Sequence, residues 1–427
     1  MSSRRPGRKI ALRIGPKNSR VPHVSLLRHG QARTRVPHVS FLRHGKAQLL
    51  TALLGLVLLA LTGCRPHDFP QYPPNYREYA YVPNGGSGTV TILDVVNVRI
   101  DRELQVGEGP VAVASSPTRN EVYVVNSGAP SGYGSISVID AEHNAVVATI
   151  LVRRQPVSID LDPAGKMAYV ANSGSNSISV VDLLARRVIA EIGAGQEPVA
   201  ARLSPDGKTL LVANRGGNSV TLIDPGADRV RAVFTGCPGA EGPVILPDSS
   251  KAFVACSAGH QVMAIALAQS KDQSGQSDRL EGLMDVGRAP VNLALKPDGG
   301  EVFASNSLSN SVSEIYNTTD EVGDTYQIGE DPVFGLVSRD NALLYVANLR
   351  TQFVNIYSID DGKRVGWVHV GDGPSAMAFS AAGHLLFVVD SRSDDVAVVR
   401  TASESLFTML PAGRNPDAIV VKAFKLP

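Results

Sequence analysis

The sequence predicts an all-β protein: a β-propeller, most simply of eight four-stranded blades closed by its C-terminal strand. Three observations carry this. A four-residue phrase, seen as Tyr169-Val170-Ala171-Asn172, recurs in eight near-copies that begin at Tyr81, Tyr123, Tyr169, Leu211, Phe253, Phe303, Tyr345 and Phe387. The copies start 42, 46, 42, 42, 50, 42 and 42 positions apart, and a period in the low forties made of short β-rich runs is one blade long. An unpaired apolar run, Asp417 to Phe424, is left over at the C-terminal end.

One unit shows how each strand is specified. Pro198 to Leu203 is a short apolar run, and Ser204-Pro205-Asp206-Gly207-Lys208 is a turn whose Asp and Gly suit tight backbone geometry. Thr209 to Asn214 is a second run, followed by the loop Arg215-Gly216-Gly217-Asn218. Ser219 to Asp224 alternates polar and apolar residues, as a half-buried strand does, and Arg229 to Phe234 is the fourth run. No unit carries helical spacing over a useful length.

The ends of the array are offset. No first-strand run precedes Tyr81, while Gly413 to Pro416, the last Gly-x-x-Pro, is followed by the orphan run alone. Setting the orphan beside the strands of residues 79–106 closes the ring and removes its open edges, giving eight blades. Seven is the alternative, with one terminal unit outside the ring.

Val170 to Asp182, Val-Ala-Asn-Ser-Gly-Ser-Asn-Ser-Ile-Ser-Val-Val-Asp, resembles the repeat core of the YVTN-type β-propeller family. The resemblance spans about residues 79–424. It implies a propeller in the periplasm or on the cell surface and implies no reaction. The fifth unit departs from it: Cys256 stands where the Asn belongs, and Pro243 to Pro247 is shorter than the usual gap.

The front of the chain has a different character. Arg43, His44 and Lys46 precede an apolar stretch, Leu49 to Leu61, which is too short to span a bilayer, and Leu61-Thr62-Gly63-Cys64 follows. This order resembles a bacterial lipoprotein signal with its lipobox. The resemblance implies export, cleavage before Cys64 and acylation of Cys64, which with two or more chains holds a protein stably to a membrane. An ordinary signal peptide with an incidental Cys is the alternative. Residues 1–42 are Arg-rich and contain a near-duplicate, Arg20 to Gly30 against Arg35 to Gly45, so the true start is placed near Val36, Val39 or Leu42, or else the segment is a basic leader. The expected organisation is a leader over 1–63, a Pro-rich lipid-anchored tether over 64–78 and the propeller over 79–427.

Charge separates the same regions. Residues 1–63 hold 12 of the 41 Lys and Arg and none of the 40 Asp and Glu, which leaves 29 basic residues against all 40 acids, a net −11 for the rest. Some periplasmic relatives in the resembled family are associated with single-stranded DNA. An acidic domain with one Trp disfavours phosphate-backbone binding and base stacking, so nucleic acid is not an expected partner. With Cys64 reserved for lipid, Cys237 and Cys256 remain, both in the fifth unit near strand ends that antiparallel pairing brings together. A disulfide and two buried thiols both stay open.

Candidate site residues are few. The loops after the second and fourth strands share one rim, which carries Arg215, His260, Arg350 and Arg392 beside Arg153, Arg154, Arg288 and Arg414. These could grip an anionic ligand. Their alternative role is as rim charges interleaved with Glu108, Glu197, Glu330, Asp331 and Asp372. The repeated Asn, the Gly-x-x-Pro elements, and Asp94, Asp140, Asp182 and Asp224 after the third strands read as turn and strand-end chemistry. No Cys-x-x-Cys-His haem motif occurs, and Asp361-Gly362-Lys363 with Trp367 only faintly matches a quinoprotein docking motif. The expectation is a monomeric, membrane-anchored binding or scaffold module of the bacterial cell envelope, with no catalytic residues, cofactor or metal. It would take a protein or small anionic ligand on its rim. The alternative is a hydrolase or lactonase sited in the central channel.

Overall fold

The computed structural model describes residues 70–268 and 277–426, and their regular structure is entirely β-strand. The strands form eight antiparallel sheets of four. Blade 1 joins strands Tyr76–Asn84, Thr89–Asp94 and Arg99–Gln105 to the last strand, Val420–Lys425, and blades 2 to 8 follow as residues 110–154, 156–193, 198–235, 240–285, 290–327, 332–369 and 374–411. Each innermost strand touches the next, from Pro110–Ser115 round to Val420–Lys425 and back, so the ring is closed at eight blades and the seven-blade alternative falls.

The closure is the expected one. Val420–Lys425 pairs antiparallel with Tyr76–Asn84, Val420 opposite Tyr81 and Lys425 opposite Tyr76, and Pro416 bridges Asn84. Buried Lys422 donates from Nζ to the Ser116 carbonyl of blade 2 at 2.6 Å, and Phe424 packs beside Tyr81, Val122 and Val124. The sheet takes in Tyr76 to Glu78, three residues the sequence placed in the tether. Polar contacts explain the difference. Tyr76 stacks on Tyr72 at 5.1 Å and donates to Glu78 Oε2 at 2.7 Å, and fully buried Glu78 accepts the Ala381 N–H of blade 8 at 2.6 Å.

The core is a ring of eight apolar clusters, one at each junction between blades. This explains the repeated phrase. Alternate side chains of a strand face opposite ways, so Tyr123 and Val125 pack against blade 3 while Val122 and Val124 pack against blade 1. A large aromatic at the head of the phrase fills the widening gap toward the next blade; Tyr81, Tyr123, Tyr345, Phe253, Phe303 and Phe387 are among the largest fully buried side chains. The two long repeats differ chiefly in their connections. Blade 2 has a longer connection between Asn126 and Tyr133, and in blade 5 more residues separate Ala266 from Arg279, of which 269–276 lie outside the described residues. Every outermost strand is also bulged against its neighbour, which raises local twist and blunts the edge.

Candidate functional site

The rim is built from the repeated Asn. Asn126 Nδ2 donates to Ser135 Oγ at 3.1 Å and Ser137 Oγ at 3.0 Å, and its Oδ1 accepts the Gly107 N–H at 3.2 Å. Asn84, Asn172, Asn214 and Asn306 make the same bonds to hydroxyls five and seven residues on. The Gly of Gly-x-x-Pro is needed for close approach more than for a turn. A Cβ at Gly107, Gly195, Gly329 or Gly413 would stand 2.6–2.7 Å from the Asn side chain. Asp94, Asp140, Asp182 and Asp224 accept backbone N–H groups of the turns that follow them.

Four blades modify this device: Arg153 takes the Gly position ahead of blade 3, Asn348 of blade 7 bonds the Val346 and Phe353 carbonyls where others bond hydroxyls, and blades 5 and 8 change the Asn itself. In blade 5 Cys237 occupies the Gly position and Cys256 the Asn position, and the two form a disulfide. In blade 8 the Asn is Asp390 and the first hydroxyl is replaced by Asp395. Asp390 is fully buried and accepts the Gly371 N–H at 2.9 Å. Burial first, then the adjoining Asp395 carboxyl, pushes Asp390 up to about 8.

Each of the four rim residues singled out from sequence has its own partner. Arg215 Nη2 meets Glu241 Oε2 at 2.5 Å, and Arg350 Nε meets Asp331 Oδ2 at 3.3 Å. Arg392 Nη1 donates to the Leu349 carbonyl at 2.7 Å and lies 3.8 Å from Asp372. His260 has a positive φ of 59°, like Asn176, Asn218, Asn310 and Asp394 at the same place in other blades. Its Nδ1 accepts the Ala289 N–H at 3.2 Å, as Asn218 Oδ1 accepts that of Gly239 at 3.1 Å, so the ring serves as a turn acceptor. Arg153 pairs with Glu191 at 3.1 Å, and Trp367 packs edge-on against Phe353 at 4.8 Å. Cys64 lies outside the described residues.

The central channel holds chemistry the rim does not. An innermost strand has one ladder partner, so alternate N–H groups face the channel and need acceptors. Polar side chains on the inner strand of the preceding blade supply some of them. Ser158 Oγ accepts the Ala201 N–H at 3.1 Å, Asp160 Oδ2 that of Leu203 at 2.8 Å, and Asn292 Oδ1 that of Gly335 at 3.0 Å. Arg202 stands at the same place in blade 4 as Asp160 in blade 3, and the pair are 3.6 Å apart. Burial, opposed by Arg202 and the backbone bonds, raises the Asp160 carboxyl above its ordinary range.

The inner strands of blades 4 to 7 line a cavity of about 450 Å³, with Arg202, Val244, Asn292, Phe334 and Leu336 among its walls. The inner strand of blade 5 shapes this wall. Its bulge lies between Glu241 and Val244, whereas in the other strands it directly follows the Pro. Gly242 takes φ of +55° there, and Pro243 has no N–H to satisfy. The irregular gap noted in the sequence is this displaced bulge. Arg202 is the residue sequence reasoning passed over. Its signal was present, a cation breaking the otherwise apolar run Pro198 to Leu203.

Solved structures are similar to this fold. Dihydro-heme d1 dehydrogenase NirN in complex with DHE superposes with a TM-score of 0.65 at 15% identity, over 85% of this chain and 78% of that one. Apo AztD from Citrobacter koseri gives 0.59 at 13%, over 82% and 98%. Kuenenia stuttgartiensis hydrazine synthase gives 0.52 at 22%, over 75% and 92%. At such identity the likeness establishes the architecture, an eight-bladed β-propeller, and propellers serve unrelated functions. No protein-family model and no curated protein matches the chain.

Proposed function

We propose that this chain is a YVTN-type repeat propeller that works as a non-catalytic binding module, monomeric and anchored to a membrane of the bacterial cell envelope through acylated Cys64. The observation that carries the binding role is the use of the channel's polar groups. Ser158, Asp160 and Asn292 are committed to backbone amides of the next blade, which makes them parts of the ring rather than groups poised for proton transfer. Of the rim arginines, Arg215, Arg350 and Arg392 are likewise balanced by Glu241, Asp331 and Asp372. The anchor rests on Leu61-Thr62-Gly63-Cys64 after its apolar stretch, and the acidic −11 of residues 64–427 argues against nucleic acid as partner.

A channel hydrolase has one observation in its favour, the raised carboxyl of Asp160, since a perturbed acid in a cleft is what general acid catalysis needs. Two experiments decide. The purified protein is assayed on chromogenic esters and lactones with added divalent metals, where turnover above a heat-inactivated control would sink the binding-module reading. Palmitate labelling in a bacterium is compared with Cys64→Ala, and unchanged label and membrane fractionation would sink the anchor.

A further inference from the structure

We propose that the channel cavity between blades 4 and 7 binds a small organic monoanion with an apolar body, an aromatic or branched carboxylate being the simplest example. This rests on the binding-module reading and names its ligand class. The polar side chains that line the cavity, Arg202 and Asn292, both keep donors without a hydrogen-bond acceptor among the described residues. The Arg202 side chain is 54% exposed, and its contact with Asp160 at 3.6 Å is longer than a hydrogen bond. Asp160 pairs with Nη1 alone and at that long distance, and no hydrogen-bond acceptor among the described residues takes the rest of the guanidinium, so its other N–H groups are left for a carboxylate. Asn292 spends Oδ1 on the Gly335 N–H, which fixes the amide orientation and turns Nδ2 outward without an acceptor. Two donors call for a ligand that accepts.

The rest of the wall calls for an apolar body. Phe334, Leu336, Val244 and Leu295 line it, and Pro243 removes the N–H that the displaced bulge would otherwise present there. About 450 Å³ lies within the range of small-molecule sites. The wall is also closely fitted. A Cβ at Gly242 would meet the Val291 carbonyl at 3.2 Å, and one at Gly335 would meet Ala294 Cβ at 3.0 Å. A cation would find Arg202 facing it. A neutral amide of the same shape would lose the charge-assisted fork.

The test uses the full chain and three probes of one shape: 2-naphthoate, 2-naphthamide and 2-naphthylmethylamine. Binding is read as the concentration-dependent rise in melting temperature. The proposal expects naphthoate to bind at least tenfold more tightly than naphthamide, and the amine not to bind. Arg202→Gln is expected to erase the preference for naphthoate, and Arg202→Lys to restore part of it. Ala200→Trp, which projects bulk into the cavity, is expected to weaken both naphthoate and naphthamide. Equal affinity for naphthoate and naphthamide, absence of binding at millimolar concentrations, or a preference that survives Arg202→Gln would each overturn the proposal. These results are separable from the role itself. Ester or lactone turnover would sink the binding module while leaving the anion preference standing, and equal affinities would sink the anion alone.

Discussion

Cys237 and Cys256 are joined at the two positions that Gly195 and Asn214 hold in the preceding blade. A covalent bond in blade 5 thus replaces a close Gly–Asn contact that recurs around the rim. Both contacts tie the loop entering a blade to the end of that blade's second strand. The fifth unit departs from the repeat at this pair and again at the Gly242–Pro243 bulge, and that bulge forms one wall of the channel cavity.

Removing the disulfide should destabilise the ring, and restoring the repeat should rescue it. The bond closes a span of 19 residues, for which chain entropy gives about 3 kcal/mol. Cys237→Ala with Cys256→Ala should lose stability of that order in denaturant titration. Cys237→Gly with Cys256→Asn should recover a substantial part. No difference between the two double variants would mean the positions are not equivalent.

The Gly–Asn contact should show as coupling. Gly195→Ala would place a Cβ 2.7 Å from Asn214, and Asn214→Ala would remove its hydrogen bond to Thr221 Oγ1. Each single change should cost roughly 1–3 kcal/mol. The double variant should cost clearly less than the sum, because the clash vanishes with the Asn side chain. Strict additivity would contradict the contact.

Asp390 should make stability fall toward alkaline pH. Its pKa is about 4 when unfolded and is pushed up to about 8 when folded, so the folded chain holds the extra proton. The stability linked to that proton is complete below about pH 4 and is lost as pH rises through about 8. The charged group beside it is a second acid, Asp395, whose own carboxyl is raised chiefly by burial. Asp390→Asn, the residue most other blades carry, should flatten the decline in melting temperature between pH 6 and pH 9. An unchanged pH profile would show that Asp390 is not the titrating group.

Truncation after Pro411 should open the ring. It removes the partner strand of Tyr76–Asn84 and uncovers Tyr81, Val122 and Val124, which pack against Phe424. The truncated protein should melt lower and aggregate through its freed edge. An unaltered melting curve and full solubility would mean the closing strand is dispensable.

The architecture was legible in the sequence because its signals are local. Strand alternation, the turn at Pro205-Asp206-Gly207, the repeated phrase and the leftover run Asp417 to Phe424 each show within a few residues or at one fixed period. Together they specify eight blades and their closure. The structural roles of Asn126 and of Asp182 were also legible, since residue type at a strand end limits what a side chain can bond. What the tertiary structure decided depends on residues far apart along the chain, 19 positions for Gly107 with Asn126 and for Cys237 with Cys256. Gly107 is Gly because Asn126 reaches it, the Asp390 carboxyl is pushed up because burial and the nearby Asp395 disfavour its charge, and Cys237 meets Cys256 rather than remaining a thiol. Arg202 and Asp160 sit 42 positions apart in a pattern that says only "inner strand" for both. Ring closure sets them side by side in the channel at 3.6 Å, and that distance is fixed by how eight twisted sheets pack, which no local pattern encodes.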